Sequence, residues 1–589
     1  MGVYLFCGPM QTASANDAIT APAQTNPALI APQPPATAPP KADVLPPVDD
    51  EVKLDVPKTA PNVQLQVKRF RVERVVVEGV QLLKPQDVAD ITATVEGRDI
   101  SLNEMESVVE KLNQLYRSKG YLTSQVVIPP QDISTGTIQL QAVEGRIGEL
   151  TVTGNQYFRG WVIQRDVGEK PGQPLNLREL EKTLTRINQQ NSYRLRATLS
   201  PGQQTGTTNV RLDVSERQPW QLSPTVDNQG RPFIGTTRWG AELQNTNLLG
   251  LGDRLLLKWL GATGTQAALG SYTLPVNRFG DELNFNYSFG YVNVDLPIQN
   301  QPTITGQSHS YGVVYSHPFD KRRHWVGDVG FTYRRISTFI SDVRENTDDI
   351  AALQTGLTFN RFDRWGRSVV RGQMTFAPGW MDANQKFWKA NLFATRVLRL
   401  PKNNLLVFRA MTQFTPDALP PAEQFQIGGA FSVRGYTEGL LIGDRGYNFS
   451  LEHRWPIPFL RAASPWLASR LQGVTFVDVA GTYPDRSQGQ YITGGSRAPN
   501  GARLIGSASA ERTFLASVGM GLRFRLTRFM SGFVDCGFGL VPRSDVEPYA
   551  QPVARLHFGV RSDLLSEALR PFPTSNKPSA DVPPPTLPR

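Results

Sequence analysis

The sequence predicts two small α+β units followed by a transmembrane antiparallel β-barrel of about 16 strands. Three observations carry this reading. A strand–helix–strand–strand pattern occurs twice at a spacing of roughly 75 residues. From about Trp220 to Asp563 the apolar period changes to two and stays there. No window approaches the eighteen or so consecutive apolar residues of a spanning helix, so a membrane role must be carried by strands. A mean hydropathy of -0.31 fits a barrel, whose alternating faces average out.

The first unit opens with VERVVVEGV, a short strand ending at Gly79. Ser101 followed by Glu104 is a capping box, and Leu102, Met105, Val108, Val109, Leu112 and Tyr116 form one stripe of the helix it starts. Gly120 ends that helix, and strands follow around SQVVI and TIQLQAVEG, with Ile138, Leu140 and Ala142 on one face. The second unit repeats the order. GELTVTGN is its strand, Asn176 with Glu179 starts its helix, Leu177, Leu180, Leu184 and Ile187 point inward, and YRLRATL and NVRLDV close it. Stripes at this spacing are core, and neither unit holds a catalytic cluster.

In the barrel region LNFNYSFGY places Leu283, Phe285, Tyr287, Phe289 and Tyr291 on one face, and Asn284, Asn286, Ser288 and Gly290 on the other. Ala516 to Leu526 splits the same way, with Arg523 and Arg525 on the polar face. A soluble sandwich also alternates, but its strands average about 5–6 residues, whereas a tilted spanning strand needs about 9–11. The segments here have the longer length. Trp325, Trp388, Tyr447 and Trp455 sit at segment ends, as interfacial girdles require.

The flanks read differently. Residues 1–15 carry a short apolar run and Ala13-Ser14-Ala15, a truncated export signal without its basic start. Residues 16–67 are a proline-rich linker and residues 564–589 a tail of disordered composition. No amphipathic plug helix is evident ahead of the linker. Cys7 and Cys536 are the two cysteines, so neither a disulfide framework nor a metal-ligand spacing is present. The net charge of +10 comes from 62 basic residues spread along the chain, with only Lys321 to His324 clustered, which argues against nucleic acid.

One segment stands apart. GGAFSVRGYTEG sets Val433, Arg434, Gly435 and Tyr436 in a long loop between the strand near LLVFRAMTQF and the strand through YNFSLEHRWPI. In the latter strand Asn448, Ser450, Glu452 and Arg454 share the face opposite Tyr447, Phe449 and Leu451. EQFQIGGAFSVRGYTEGLLIGDRGY resembles the signature loop of the Omp85 superfamily, above all its two-partner secretion branch, the haemolysin activation/secretion transporters.

That resemblance implies POTRA-like domains at 68–146 and 147–217, a barrel at 218–563, and a VRGY loop at about 415–440 that folds back into the lumen. It further implies that Arg434 pairs with an aspartate in a strand of the form F/G-x-D-x-G. TFVDVAG puts Phe476 and Asp478 on one face, and GFVDCG offers Asp535. Strand order favours Asp478, because its segment directly follows the strand after the loop. Spelling favours Asp535, which stays second. A guanidinium binds a carboxylate through paired charge-assisted hydrogen bonds that a lysine cannot match.

The function implied is an outer-membrane transporter, with its POTRA-like domains in the periplasm, exporting an unfolded exoprotein of haemolysin or adhesin type that carries an N-terminal secretion domain. The resting pore would be closed by the VRGY loop alone. Its surroundings would be outer-membrane lipid, periplasmic chaperones and the barrel-assembly machinery, and it would act as a monomer without cofactor or metal. A barrel-assembly insertase of the same superfamily is the alternative, disfavoured by only two repeat units. A porin is a third reading. An enzyme is least supported: no Walker A and no G-x-S-x-G pattern occurs, and five histidines form no constellation.

Overall fold

The computed structural model describes residues 69–231, 234–294, 304–320, 322–340, 343–483, 513–527, 529–541 and 554–564. The export signal, the linker, the region of any plug helix, Cys7 and nearly all of the tail lie outside them. The chain divides into two compact units, one holding the two small domains and one holding the barrel.

The first small domain runs β1 (Arg69–Val72), β2 (Arg74–Glu78), α1 (Pro85–Thr92), β3 (Arg98–Ser101), α2 (Leu102–Ser118), β4 (Gln125–Val127) and β5 (Thr137–Val143). The second runs β6 (Arg146–Thr153), α3 (Gly160–Val167), α4 (Leu177–Gln190), β7 (Tyr193–Pro201) and β8 (Thr207–Glu216). Their sheets have one plan. β2 lies parallel to β5, which is antiparallel to β4, and β6 lies parallel to β8, which is antiparallel to β7.

The capping box at Ser101 is complete. Its hydroxyl accepts from the Glu104 N–H, and the Glu104 carboxylate accepts from the Ser101 N–H at 2.7 Å, which holds that carboxyl below its usual range. Met105, Val108, Leu112 and Tyr116 are buried against Ile138, Leu140 and Ala142. Leu102 is not: it occupies the first helical position, where the stripe runs off the sheet, and is exposed. In the second domain Leu177, Leu180, Leu184 and Ile187 are all buried against β7 and β8. Sequence periodicity missed α1 and α3 because each has only eight residues, about two turns, too few for a stripe to declare itself.

The barrel begins with β9 (Trp220–Asp227), β10 (Arg238–Asn245), β11 (Arg254–Ala262), β12 (Thr265–Pro275), β13 (Glu282–Val294) and β14 (Ile304–Pro318). It continues through β15 (Trp325–Ile340), β16 (Val343–Asp363), β17 (Gly366–Ala377), β18 (Phe387–Leu400) and β19 (Asn404–Phe414). After a loop containing the ribbon β20 (Phe425–Ile427) and β21 (Leu441–Gly443) comes β22 (Arg445–Pro456). A turn with α5 (Pro458–Ala463) and α6 (Pro465–Ala468) leads to β23 (Leu471–Tyr483), β24 (Thr513–Arg525), β25 (Met530–Gly539) and β26 (Arg555–Ser562). Of β9 to β26, all but β20 and β21 join one closed antiparallel barrel, sixteen strands among the described residues.

Alternation sets the two faces. Phe285, Tyr287, Tyr311, Leu357, Leu451 and Val518 are exposed outward, as a lipid-facing wall needs, while inward neighbours such as Ser288, Thr358, Ser450 and Asp478 are buried. Closure is thin. β26 meets β9 through three registered pairs, Gly559 with Asp227, Val560 with Val226 and Arg561 with Thr225. Side chains extend the seam, the Asn228 carboxamide donating to the Leu556 carbonyl at 2.7 Å and accepting from the Phe558 N–H at 2.8 Å.

Candidate functional site in the barrel lumen

The segment between β19 and β22 lies inside the barrel. Its ends are drawn together by the β20/β21 ribbon, in which Phe425 pairs with Gly443 and Ile427 with Leu441. Phe425, Ile427, Val433, Tyr436 and Leu441 form a small apolar core with Ala480 of β23 and Leu515 of β24. A segment with its own core and a matching wall behaves as a packed plug.

At its tip Arg434 is 3% exposed, and each of its five side-chain N–H groups has a partner. Nε donates to Asp478 Oδ2 and Nη2 to Asp478 Oδ1, both at 2.8 Å, a bidentate pair. Nη1 donates to Glu452 at 2.9 Å and to Asp535 at 3.1 Å, and Nη2 also reaches the Ser450 hydroxyl at 3.3 Å. The Arg434 backbone N–H donates to Asp478 as well, at 3.1 Å. Below the guanidinium lies the Phe476 ring, its centroid 3.4 Å from Cζ.

Register explains why these groups meet. Ser450 stands opposite Asp478, Glu452 opposite Phe476, Phe476 opposite Gly519 and Gly519 opposite Gly537. All are inward positions. A Cβ on Gly519 would lie 2.2 Å from the Phe476 ring, so the glycine lets that ring spread across the wall. A Cβ on Gly537 would lie 2.5 Å from the Arg434 carbonyl carbon, so β25 is bare where the loop backbone crosses it. Gly435 has φ +107, a conformation costly for any side chain. Tyr436 places its hydroxyl 3.1 and 3.0 Å from the Ala516 and Val541 carbonyls and accepts from the Val541 N–H at 2.9 Å.

The structure therefore brings Arg434 to both aspartates, with the bidentate contact on Asp478. The sequence reading did not single out the third carboxylate, Glu452, which is fully buried and also accepts from Arg454 at 2.6 Å and Arg523 at 2.9 Å. Arg523 binds Asp535 through both terminal nitrogens. Three carboxylates thus face Arg434, Arg454 and Arg523, with Arg409 a further 3.7 Å from Glu452, and this mutual pairing limits the cost of removing so many charges from water. Alternation already placed Glu452 and Arg523 inward, a signal that could have found them.

Two further loop residues, Glu423 and Gln426, are tied elsewhere on the wall. Glu423 accepts from Arg334 of β15 and Lys389 of β18, both at 2.6 Å, and the Arg231 guanidinium, between β9 and β10, donates to Gln426 at 3.2 Å. Within the loop Glu438 accepts from the Ala430 N–H at 2.6 Å.

The family described as haemolysin secretion/activation protein ShlB/FhaC/HecB matches residues 206–499, and the ShlB-type POTRA domain matches residues 70–145. The chain is 25% identical to the hemolysin transporter protein ShlB of Serratia marcescens, over 66% of this chain and 72% of that protein. It is 23% identical to the outer membrane transporter CdiB of Escherichia coli strain 536, over 71% and 73%. The solved structure of CdiB from Escherichia coli shares the fold with TM-score 0.56 and 19% identity, covering 86% of this chain and 93% of that one. BamA from Haemophilus ducreyi lacking POTRA domains 1–3 does so with TM-score 0.55 and 15% identity, covering 84% and 100%. The chain belongs to the ShlB/FhaC/HecB family of two-partner secretion outer-membrane proteins.

Proposed function

We infer that this protein is an outer-membrane transporter that passes an unfolded exoprotein from the periplasm to the cell surface through its barrel, with its POTRA domains in the periplasm. The observation that carries the reading is a sixteen-stranded lumen occupied by a loop of its own chain, held partly by ion pairs such as those of Glu423 that can be remade. In this reading Arg434 latches the loop in a transport-competent position, with Asp478 as its main partner and Glu452 and Asp535 as supports.

The client is an exoprotein of haemolysin or adhesin type with an N-terminal secretion domain. Relatives described as transporters of hemolysin and of heme/hemopexin support that class. The sheet edges offer a docking mode: β7 is nine residues long and lies at the edge of its sheet, so an extended client segment can add to it through backbone hydrogen bonds. Folding of the client outside the cell would supply direction without a nucleotide. The transporter works as a monomer, and chaperones and the barrel-assembly machinery insert it. Likeness to BamA is a likeness of fold, and the family favours the transporter over an insertase.

The test compares extracellular and outer-membrane proteomes of a strain lacking this gene with its parent. The expected result is loss of one or a few large extracellular proteins, restored by the gene in trans. A broad fall in other barrel proteins would point to assembly and overturn the reading.

A further inference from the structure

The geometry points to Glu423 as a second anchor of the lumen loop, on a different arc of the wall from Arg434, and as the one that keeps the resting lumen shut. Arg434 grips β22, β23 and β25. Glu423 grips β15 and β18, through Arg334 and Lys389, and all three side chains are at most 8% exposed. The Glu423 carbonyl also accepts from Lys389 Nζ and from Gln413 Nε2, each at 3.0 Å. Held at both places, eleven residues apart in sequence, the loop lies as a chord across the lumen.

A second observation is independent of charge. The lumen of such a barrel is polar, yet Ile336 of β15 and Ile350 and Ala352 of β16 point inward and are at most 3% exposed. What covers them is the loop. Leu419 and Ala422 join these three residues, Ala377 and Phe387 in one buried apolar cluster directly beside Glu423. The wall therefore carries a seat of apolar patch plus two cations, and the loop carries the matching pair of apolar residues and carboxylate.

The two anchors differ in what release leaves behind. Freeing Arg434 breaks five side-chain hydrogen bonds and takes from fully buried Asp478 its bidentate guanidinium, whereas freeing Glu423 breaks one ion pair with each of two cations that lumen water can then solvate. The Glu423 seat is the one that lets go, with the loop turning about Arg434. Glu423 is thus a positioning residue, and its link to export, though not its effect on the pore, rests on the transport reading.

The experiment records ion conductance of the purified full-length chain in planar lipid bilayers, with no client present. Glu423→Gln, by leaving Arg334 and Lys389 unneutralised, is expected to raise the time in the high-conductance state about tenfold, a shift of populations rather than a new pore. Glu423→Lys combined with Lys389→Glu restores one carboxylate among the cations and is expected to return conductance to the parent level. Heat-modifiable mobility on gels checks that each barrel is folded. Unchanged conductance in folded Glu423→Gln, or a folded charge swap that stays leaky, overturns the proposal. If Glu423→Gln does not fold, the charge swap alone decides. Because no client takes part, failure here leaves the export reading standing, and failure of the proteome test leaves this one standing.

Discussion

The interior of the second small domain and the Arg434 cluster in the barrel lumen are both buried, but by opposite kinds of residue. In the domain Leu180, Leu184, Ile187, Tyr193, Leu195 and Leu212 close on one another. In the barrel Arg434, Asp478, Glu452, Asp535 and Arg454 do so. The domain folds because apolar area leaves water. The barrel is held by its closed backbone ladder and its lipid face, which frees the lumen for charge. A leucine core fixes one shape, whereas a charged lumen leaves ion pairs such as those of Glu423 with Arg334 and Lys389 that water can solvate and that can be remade, as a transport channel requires.

The sharpest way to break this contrast is to remove one lumen carboxylate. Asp478→Ala leaves Arg434 without its bidentate partner, and breaking a buried pair of this kind costs about 3–5 kcal/mol. Client in the medium is expected to fall at least about tenfold while the barrel stays heat-modifiable. Asp535→Ala is expected to do less, because Asp535 is shared with Arg523. The reverse order, measured by immunoblot of the medium, would move the pairing to Asp535.

Next in size is a change on the other side of the comparison. Leu184→Ala opens a cavity in the second domain and is expected to cost about 2–5 kcal/mol. Limited proteolysis of the full chain in detergent should then cut faster between 147 and 217, with the barrel unaffected. A variant as resistant as the parent would mean that the domain is not held by its apolar core.

Phe476→Leu is a smaller perturbation. It keeps apolar cover beneath Arg434 but removes the aromatic face, worth about 0.5–2 kcal/mol. Export is expected to drop less than in Asp478→Ala, and an equal drop would give the ring a role beyond the cation.

Smallest is Ser101→Ala, which removes one half of the capping box and is expected to cost about 1 kcal/mol. Glu104 titrates below its ordinary value in the folded domain, so its contribution is present above the unfolded pKa and is lost as pH falls through the folded one. The difference between variant and parent, read from thermal melts across pH, should therefore shrink in acid. A difference that grows in acid would contradict the assignment.

Much of this was legible in the sequence. Helical stripes, the Ser101 box, the change of period near Trp220 and the inward parity of Asp478 and Asp535 follow from 3.6 and 2 residue repeats, which are local. The packing of Arg434 against three strands at once is not local. It depends on register between β22, β23, β24 and β25, and on bare positions such as Gly519 and Gly537 that gain meaning only when strands align. The loop's internal ribbon escaped for the same reason, since three-residue strands carry no period. Glu423 escaped because its partners lie 89 and 34 residues away in sequence.

The central claim is that Arg434 acts in export through its lumen carboxylates. It is tested most directly by a mutant cycle of Arg434→Ala, Asp478→Ala and the pair, each expressed in the deletion strain, with exported client quantified against folded barrel. The account predicts that each single change nearly abolishes export and that the double change is no worse than either. Full export from a folded Arg434→Ala barrel, or independent losses that add in the double variant, would contradict it.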